Sequence, residues 1–320
     1  MDTLSQNLKT LTPTKNTAPR FAILISTKNR CRDLEITLKS LSAFLDKENI
    51  SCTVYDDGSA DGTSHMIKTQ YPEVTVLRNE ISKGYLFCRN QMLNASNADY
   101  AISLDDDANF LSADALGTIS AWFETHPECG LIAFRIFWGL DLPKNETDLS
   151  EPQRVRGFVG CGHVWKMTAW KAIPDYPEWF GFYGEEEFAA QHLFLKRLEV
   201  HYVPSILVHH RVDMKGRQKD SSYKIRMRRS LASGWYLFYL FLPPEKIARK
   251  MASSITAKIK LAFRERTIVP IRLLFQATAD LIAKTPFLIR ERSAFSRSQY
   301  KEFQQIPGTK VYWNPNGDDI

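Results

Sequence analysis

Cysteine is scarce in this chain and forms no pattern. The five present, Cys31, Cys52, Cys88, Cys129 and Cys161, are odd in number and scattered, with no CxxC pair. That argues against a zinc site or a disulfide framework and for a reducing compartment. Long apolar runs are missing too, since none reaches the roughly 18 residues of a membrane-spanning helix. The nearest, LASGWYLFYLFLPP at 231–244, is closed by two prolines and reads equally as a buried helix or as an interfacial segment rich in Trp and Tyr. Residues 1–18 contain no apolar stretch of a secretory leader and are expected to form a loose tail. No internal repeat is visible, and STKNRCRD, after the first strand-like run, is not a glycine-rich phosphate loop.

What is present is ordinary in bulk and uneven in charge. At 320 residues, with 44% hydrophobic and 24% charged residues, the chain can bury a substantial core in one large domain or two smaller ones. Residues 1–200 carry 20 Lys and Arg against 27 Asp and Glu, whereas residues 201–300 carry 20 against 6. An acidic front and a basic back imply two tasks, and the basic part should face something anionic.

The hydrophobic pattern alternates short apolar runs with helical periods. FAILIS (21–26) reads as a strand buried on both faces, and RDLEITLKSLSAFL (32–45) spaces Leu34, Leu38, Leu41 and Leu45 as one helix face. SCTVYDD (51–57) is a second strand ended by the turn residues DGSADGT, and VTVL (74–77) is a third. A helix over 83–96, a strand over 100–104, a helix near 112–126 and a strand over 130–138 follow. The alternation predicts a parallel, doubly wound sheet with helices on its faces.

In such sheets ligands bind beyond the carboxyl ends of the strands. Thr27, Asn29 and Arg30, then Asp56 and Asp57, then Asp105, Asp106 and Asp107 all fall there. Carboxylates gathered at one sheet edge are costly unless a cation joins them, and their oxygens suit Mg²⁺ or Mn²⁺. In extended backbone Asp105 and Asp107 point one way and Asp106 the other.

The chain resembles a family 2 glycosyltransferase of the GT-A fold through residues 20–213. The matching pieces are ISTKNR (25–30), VYDDGSADGT (54–63), RNEISKGYLFCRNQML (78–93), YAISLDDDANF (100–110), FVGCGHVWKMTAW (158–170), GFYGEEEF (181–188) and VHYVPSILVHH (200–210). The resemblance implies an α/β fold with a mixed, mostly parallel sheet flanked by helices. It implies a DxD element in which Asp107 binds a divalent metal, Mn²⁺ or Mg²⁺, and Asp105 contacts the ribose side of the donor and shares in the metal. Asp106 falls within the same nucleotide-sugar-binding segment. Asp56 and Asp57 fall at the nucleotide-sugar-binding position, where Asp57 is favoured to accept from the base of a UDP- or dTDP-sugar, Asp56 having the alternative of capping the turn. Thr27, Asn29 and Arg30 would pack on base and ribose, and Lys83, Arg89 and Asn90 would approach the nucleotide.

On the acceptor side the family's Gly-Glu-Asp stretch aligns with Gly184, Glu185 and Glu186. Glu186 is therefore the expected catalytic base, where relatives carry aspartate, with Glu185 orienting the acceptor. The longer arm leaves Glu185 and Glu187 open as alternatives. PEWFGFY would supply an apolar wall and, in Trp179 or Phe182, an aromatic face for a sugar. Counting from Pro204 selects His210, with His209 as alternate, as a metal ligand. Gly160 and Gly162 mark close backbone approach to donor sugar or acceptor.

Beyond residue 213 the resemblance fades into cationic, amphipathic segments, KIRMRRS (224–230), KMASSITAKIKLAFRER (250–266) and PFLIRERSAFSRSQYKEF (286–303). The expected plan is a flexible tail (1–18), a catalytic domain (19–213) and a basic, largely helical extension (214–320). The expected function is inverting, metal-dependent transfer of a sugar to a hydroxyl of a glycan or lipid-linked acceptor in cell-surface polysaccharide synthesis. The location expected is the cytoplasm, at the inner face of the membrane through anionic lipid. Nucleic acid is not an expected partner. The rival readings are a sugar nucleotidyltransferase and a non-enzymatic binder of anionic polymers.

Overall fold

The computed structural model describes residues 20–148, 150–213, 216, 223–310 and 313. The tail expected over 1–18 lies outside the described residues. Strand β1 (Phe21–Thr27) is buried almost throughout and pairs in parallel with β2 (Ile50–Asp56) on one side and β4 (Tyr100–Asp105) on the other. β3 (Thr75–Arg78) adds in parallel beyond β2. In register, Thr27 faces Asp56 and Ser26 faces Asp105, so three strands end together at one sheet edge.

The second half of the sheet is mixed. β6 (Cys129–Trp138) runs parallel to β9 (Glu199–His210). β5 (Ala108–Phe110), β7 (Gln153–Val155) and β8 (Gly162–Lys166) pair antiparallel to their neighbours. The strand order is β3-β2-β1-β4-β8-β6-β9-β5, with β7 also on β9. The sheet is mixed and mostly parallel, as the family resemblance implies, whereas the parallel sheet read from the alternation holds for the first four strands and for the β6–β9 pair. A return strand such as β8 follows an irregular loop instead of a crossover helix, a distinction that periodicity does not carry.

Helices cover both faces. On one face α1 (Cys31–Leu45) buries Leu34, Leu38 and Leu41, beside α2 (Thr63–Gln70) and α4 (Ala115–Thr125). The other face carries α3 (Tyr85–Ala95), the short α5 (Met167–Trp170) and α6 (Glu185–Leu195). Among the described residues four further long helices follow: α7 (Tyr223–Phe241), α8 (Pro244–Glu265), α9 (Val269–Arg290) and α10 (Arg297–Gln305).

The C-terminal helices share the core of that second face. Trp235, Tyr236, Leu240, Phe241, Leu273 and Leu288 form one apolar cluster with Trp165, Phe180 and Phe188. The 231–244 run is thus a buried helix, as one of its two readings had it. Pro243 and Pro244 end α7 and open α8, where a missing N–H costs nothing. α8 has no fully buried residue, and no helix among the described residues is long and apolar enough to cross a membrane.

Candidate active site

The three aspartates at the end of β4 each meet a positive charge. Asp105 accepts from Arg89 Nη2 at 2.6 Å. Asp106 accepts from the Thr27 hydroxyl at 2.7 Å and lies 3.2 Å from Arg30 Nε. Asp107 accepts from Arg30 Nη2 at 2.7 Å, and its other oxygen is 3.0 Å from His210 Nε2. Pairing of β5 with β9 sets Ala108 opposite His210, which brings a histidine 103 positions away in sequence onto Asp107. The alternation expected of the triplet holds, because Asp105 and Asp107 converge on His210 while Asp106 turns to Thr27.

Asp105, Asp107 and His210 can hold a metal ion together, their ligand atoms lying within 4.8 Å of one another. The donor set of two carboxylates and an imidazole suits a divalent cation. Asp107 Oδ1 and His210 Nε2 are buried and face each other at 3.0 Å, so a cation that displaces the proton between them gains a carboxylate oxygen and one imidazole lone pair. Asp105, with its side chain 35% exposed, is the member open to the cleft. Although burial opposes ionisation, His210 and Arg30 hold Asp107 down at about 2. Burial dominates at Asp106, which is pushed up to about 7 against the pull of Arg30. Despite its own burial, His210 is raised to about 11 beside Cys161 and Asp107.

The Asp56–Asp57 turn is saturated by the protein. Asp56 accepts from the Ser59 N–H at 2.8 Å, from Ser64 and from Arg78 and is fully buried outside the cleft lining, so it is the turn cap of its two readings and its nucleotide-sugar-binding reading is corrected. Asp57 accepts from Asn79 Nδ2, the Ser82 hydroxyl and the N–H groups of Lys83 and Gly84, all at 2.6–2.9 Å. A carboxylate offers about four lone-pair sites, so none is left for an imide N–H of a base. Asp57 lines the cleft, but its direct reading of uracil or thymine is corrected to positioning the 82–84 loop.

Several other expected residues stand elsewhere. Asn90 spends its amide on Tyr176 and Glu178, stitching α3 to the loop behind the cleft wall. Gly162 is a packing residue: a Cβ there would press on Ile136, Val208 and Phe134. Trp179 stacks on Phe287 of α9 at 5.4 Å and donates to Glu291, so it faces the C-terminal helices instead of a sugar. Lys83 is exposed and lies over the Phe87 ring at 4.7 Å, outside the cleft lining. Asn29, with φ of 54°, braces the neighbouring loop by accepting from the Ala60 N–H. His209, the alternate ligand, is instead bonded to the Gly139 carbonyl. The resemblance matches positions along the chain, and a matched position does not say which way its side chain turns.

The remaining residues enclose a cleft of about 460 Å³. Its lining includes Thr27, Arg30, Asp57, Asp105 and Asp106 at the strand ends, with Gly160, Phe182, Tyr183, Glu185, Glu186 and Arg229. Glu185, Glu186 and Glu187 open α6, whose N-cap Gly184 has φ of 90° and supplies no side-chain cap. A Cβ on Gly184 would stand 2.9 Å from Ser233 Cβ, so only glycine fits against α7. Glu185 and Glu186 reach the cleft and Glu187 does not.

Glu186 lies against Gly160, where a Cβ would come within 2.4 Å of its Oε1 and 3.4 Å of Arg89 Nη1. Burial, and then the neighbouring Glu187, push Glu186 up to about 7, with Arg89 opposing. Glu185 is raised well above the usual carboxylate range by burial and by Glu186, and its Oε2 has no hydrogen-bond partner. Arg89 spans the site, donating to Asp105 and, at 2.9 Å, to the Gly160 carbonyl.

Sequence reasoning missed Arg229, Tyr183 and Tyr85 as lining residues. Arg229 belongs to KIRMRRS, which the sequence presents as a cationic, amphipathic segment of the extension. The signal was one helical turn away, at Ser233, whose fit against Gly184 fixes α7 beside the cleft mouth.

With this geometry in view, the chain belongs to glycosyl transferase family 2, whose family model matches residues 22–197. The match covers β1 through α6, and leaves β9 with His210 and the C-terminal helices beyond it. No curated protein sequence matches significantly. Among solved structures, the mannosyltransferase PcManGT of Pyrobaculum calidifontis, in complex with GDP-Man and Mn²⁺, is 15% identical with a TM-score of 0.54, covering 90% of this chain and 79% of that one. TarS of S. aureus is 15% identical with a TM-score of 0.51, over 66% of this chain and 39% of its own. GalNAc-T7 with UDP, GalNAc and Mn²⁺ is 15% identical with a TM-score of 0.51, over 68% and 48%. At such identities the likeness concerns the fold, which is GT-A.

Proposed function

We propose that the protein transfers a sugar from a nucleoside-diphosphate sugar to a hydroxyl of a glycan or lipid-linked acceptor, with inversion, in cell-surface polysaccharide assembly. The observation that carries this reading is Arg89. One guanidinium is bonded to Asp105 of the metal-type group and stands beside Glu186 across the cleft. Donor diphosphate and acceptor hydroxyl would therefore meet within one enclosed volume.

Asp105, Asp107 and His210 would hold a divalent cation, Mn²⁺ or Mg²⁺, which supplies charge stabilisation to the departing diphosphate. Arg30 and Arg89 add fixed positive charge on the same side. Glu186, held near neutrality in pKa, takes the proton from the acceptor hydroxyl as that oxygen attacks the anomeric carbon. Phe182 and Tyr183 wall off water on the acceptor side, and Glu185 is placed to orient the acceptor. The donor base is left to the nucleotide screen, with UDP- and dTDP-sugars first, because Asp57 spends its lone pairs on the protein.

The test is release of free nucleoside diphosphate from a panel of UDP-, dTDP- and GDP-sugars with Mn²⁺ or Mg²⁺. Metal-dependent release with at least one donor, lost in Asp107→Asn, supports the reading. Release that is equal with chelator present, or absent with every donor, overturns it.

A further inference from the structure

We propose that α9, with the end of α8, is a docking ridge that lies in the interface of an anionic lipid membrane. α9 has two apolar faces. One, with Leu273, Ala277 and Leu288, is buried in the shared core. On the other, Ile268, Phe275, Ile282 and Ile289 recur every seven residues and are 60–75% exposed, and Phe263 at the end of α8 is 80% exposed. A seven-residue repeat drifts only about 20° per step on a helix, so these four side chains form one stripe roughly 32 Å long. Nothing in the described chain covers it. Scattered surface hydrophobics are ordinary, but a continuous ridge of this size is a contact surface.

Charge selects the occupant. Residues 244–290 carry 10 Lys and Arg against 3 Asp and Glu. Of the three acids, Asp280 is taken by Arg228, at 2.6 Å, and Glu265 by Arg264, at 3.7 Å. Arg264 and Arg290 are 77% and 68% exposed beside the ridge, and Arg272 sits between Ile268 and Phe275. Docking a second copy on this ridge would set cation against cation. An anionic headgroup layer instead accepts the cations while the apolar side chains enter the acyl boundary. The ridge has the length and amphipathic character of a segment that lies in the interface, and no helix among the described residues is long and apolar enough to cross.

The ridge also has a place relative to the cleft. Phe287, between Ile282 and Ile289, stacks on Trp179, and the chain continues from there to Phe182 and Tyr183 on the acceptor wall. Arg228 ties α7 to α9, and its neighbour Arg229 opens into the cleft. Docking by this ridge brings the acceptor side of the cleft toward the membrane, where a lipid-linked acceptor would be held.

Removing the helices would expose the shared core, so point substitutions on the intact chain are the test. Phe275→Gln with Ile282→Gln should keep the melting temperature and donor hydrolysis while reducing partition onto phosphatidylglycerol-containing vesicles at least tenfold. Replacing Arg264, Arg266 and Arg272 by Gln should weaken the same binding and flatten its salt dependence. Phe275→Trp should show blue-shifted emission with these vesicles and not with pure phosphatidylcholine at equal salt. The proposal is overturned if the wild-type chain ignores anionic vesicles at low salt or if the double substitution leaves partition unchanged. A self-associating chain, split to monomers by the double substitution and indifferent to vesicles, would assign the ridge to a second copy and also overturn it. Because binding is read without catalysis, its failure is separate from failure of the transfer reading.

Discussion

Asp105–Asp107 and Glu185–Glu187 are two runs of three carboxylates facing one cleft, and the fold treats them oppositely. Every aspartate is given a cation: Arg89 for Asp105, Arg30 for Asp106, and Arg30 with His210 for Asp107. The glutamates are given a helix N-terminus, Glu185 is buried and Glu186 half-buried, and no cation bonds to them among the described residues. The outcome is an ionised carboxylate on one side, Asp107 at about 2, beside a buried Asp106 at about 7 that turns away to Thr27, and a proton-holding Glu186 at about 7 on the other. Carboxylates kept ionised suit a metal and a diphosphate, while a carboxylate poised near neutrality suits the proton of an acceptor hydroxyl.

The comparison breaks most severely at Asp107. Asp107→Asn removes the buried charge that pairs with His210 and Arg30, and metal-dependent nucleotide binding should disappear. Calorimetry of UDP, dTDP and GDP with and without Mn²⁺ reads this directly. A variant that keeps full metal-dependent affinity would show that the aspartate cluster is structural.

Glu186→Gln should be the next largest effect and should leave the aspartate side intact. Transfer should fall by roughly 10²-fold or more while donor binding stays near the wild-type value. Glu187→Gln, outside the cleft lining, should change transfer by less than about twofold. If Glu187→Gln or Glu185→Gln is dead and Glu186→Gln is active, the base is one residue away from where the geometry puts it.

The pH profile sharpens the same contrast. Glu186 acts as base only when ionised, so transfer should rise with pH and level off above about 7, falling about tenfold per unit below that. Asp107 is held at about 2 and stays ionised throughout this range. An acid limb near 4.5, the ordinary glutamate value, would mean that the buried environment of Glu186 is absent in the working enzyme.

How much of this was legible before the structure depends on whether a feature is local. Apolar runs and leucine spacing found β1, α1, β2, β4 and β6 to within a residue or two, because each is set by its own side-chain period. The grouping of Asp107 with His210 followed from motif order, and the β5–β9 register brings them together. Orientation was not legible. Asn90 follows Arg89 on α3, yet one enters the cleft and the other binds Tyr176, since consecutive helix positions point about 100° apart. Trp179 looked like a sugar platform because the sequence does not show that α9 would come to lie on it. The C-terminal helices looked like an appendage because their cations were visible, while the shared core with Trp165 and Phe188 depends on tertiary packing.

The smallest effect belongs to Glu185, and it separates burial from catalysis. Its pKa is raised in the folded protein above the ordinary 4.5, so the fold favours the protonated form. Between 4.5 and that raised value the folded state binds more protons than the unfolded chain. The stability this supplies is complete below 4.5 and is lost as pH rises through the folded value. Glu185→Gln removes the titration and presents a neutral group of nearly the same shape. The difference in melting temperature, variant minus wild type, should therefore become more positive between pH 5 and pH 8. For a chain of this size each kcal/mol gained corresponds to about 1–2 °C. Glu187→Gln, on the exposed side of the first turn, should show a smaller drift across the same range. A difference for Glu185→Gln that does not change with pH would mean that Glu185 is ionised in the fold. The two carboxylate runs would then be held alike, and the division between a charged side and a proton-holding side would rest on Glu186 alone.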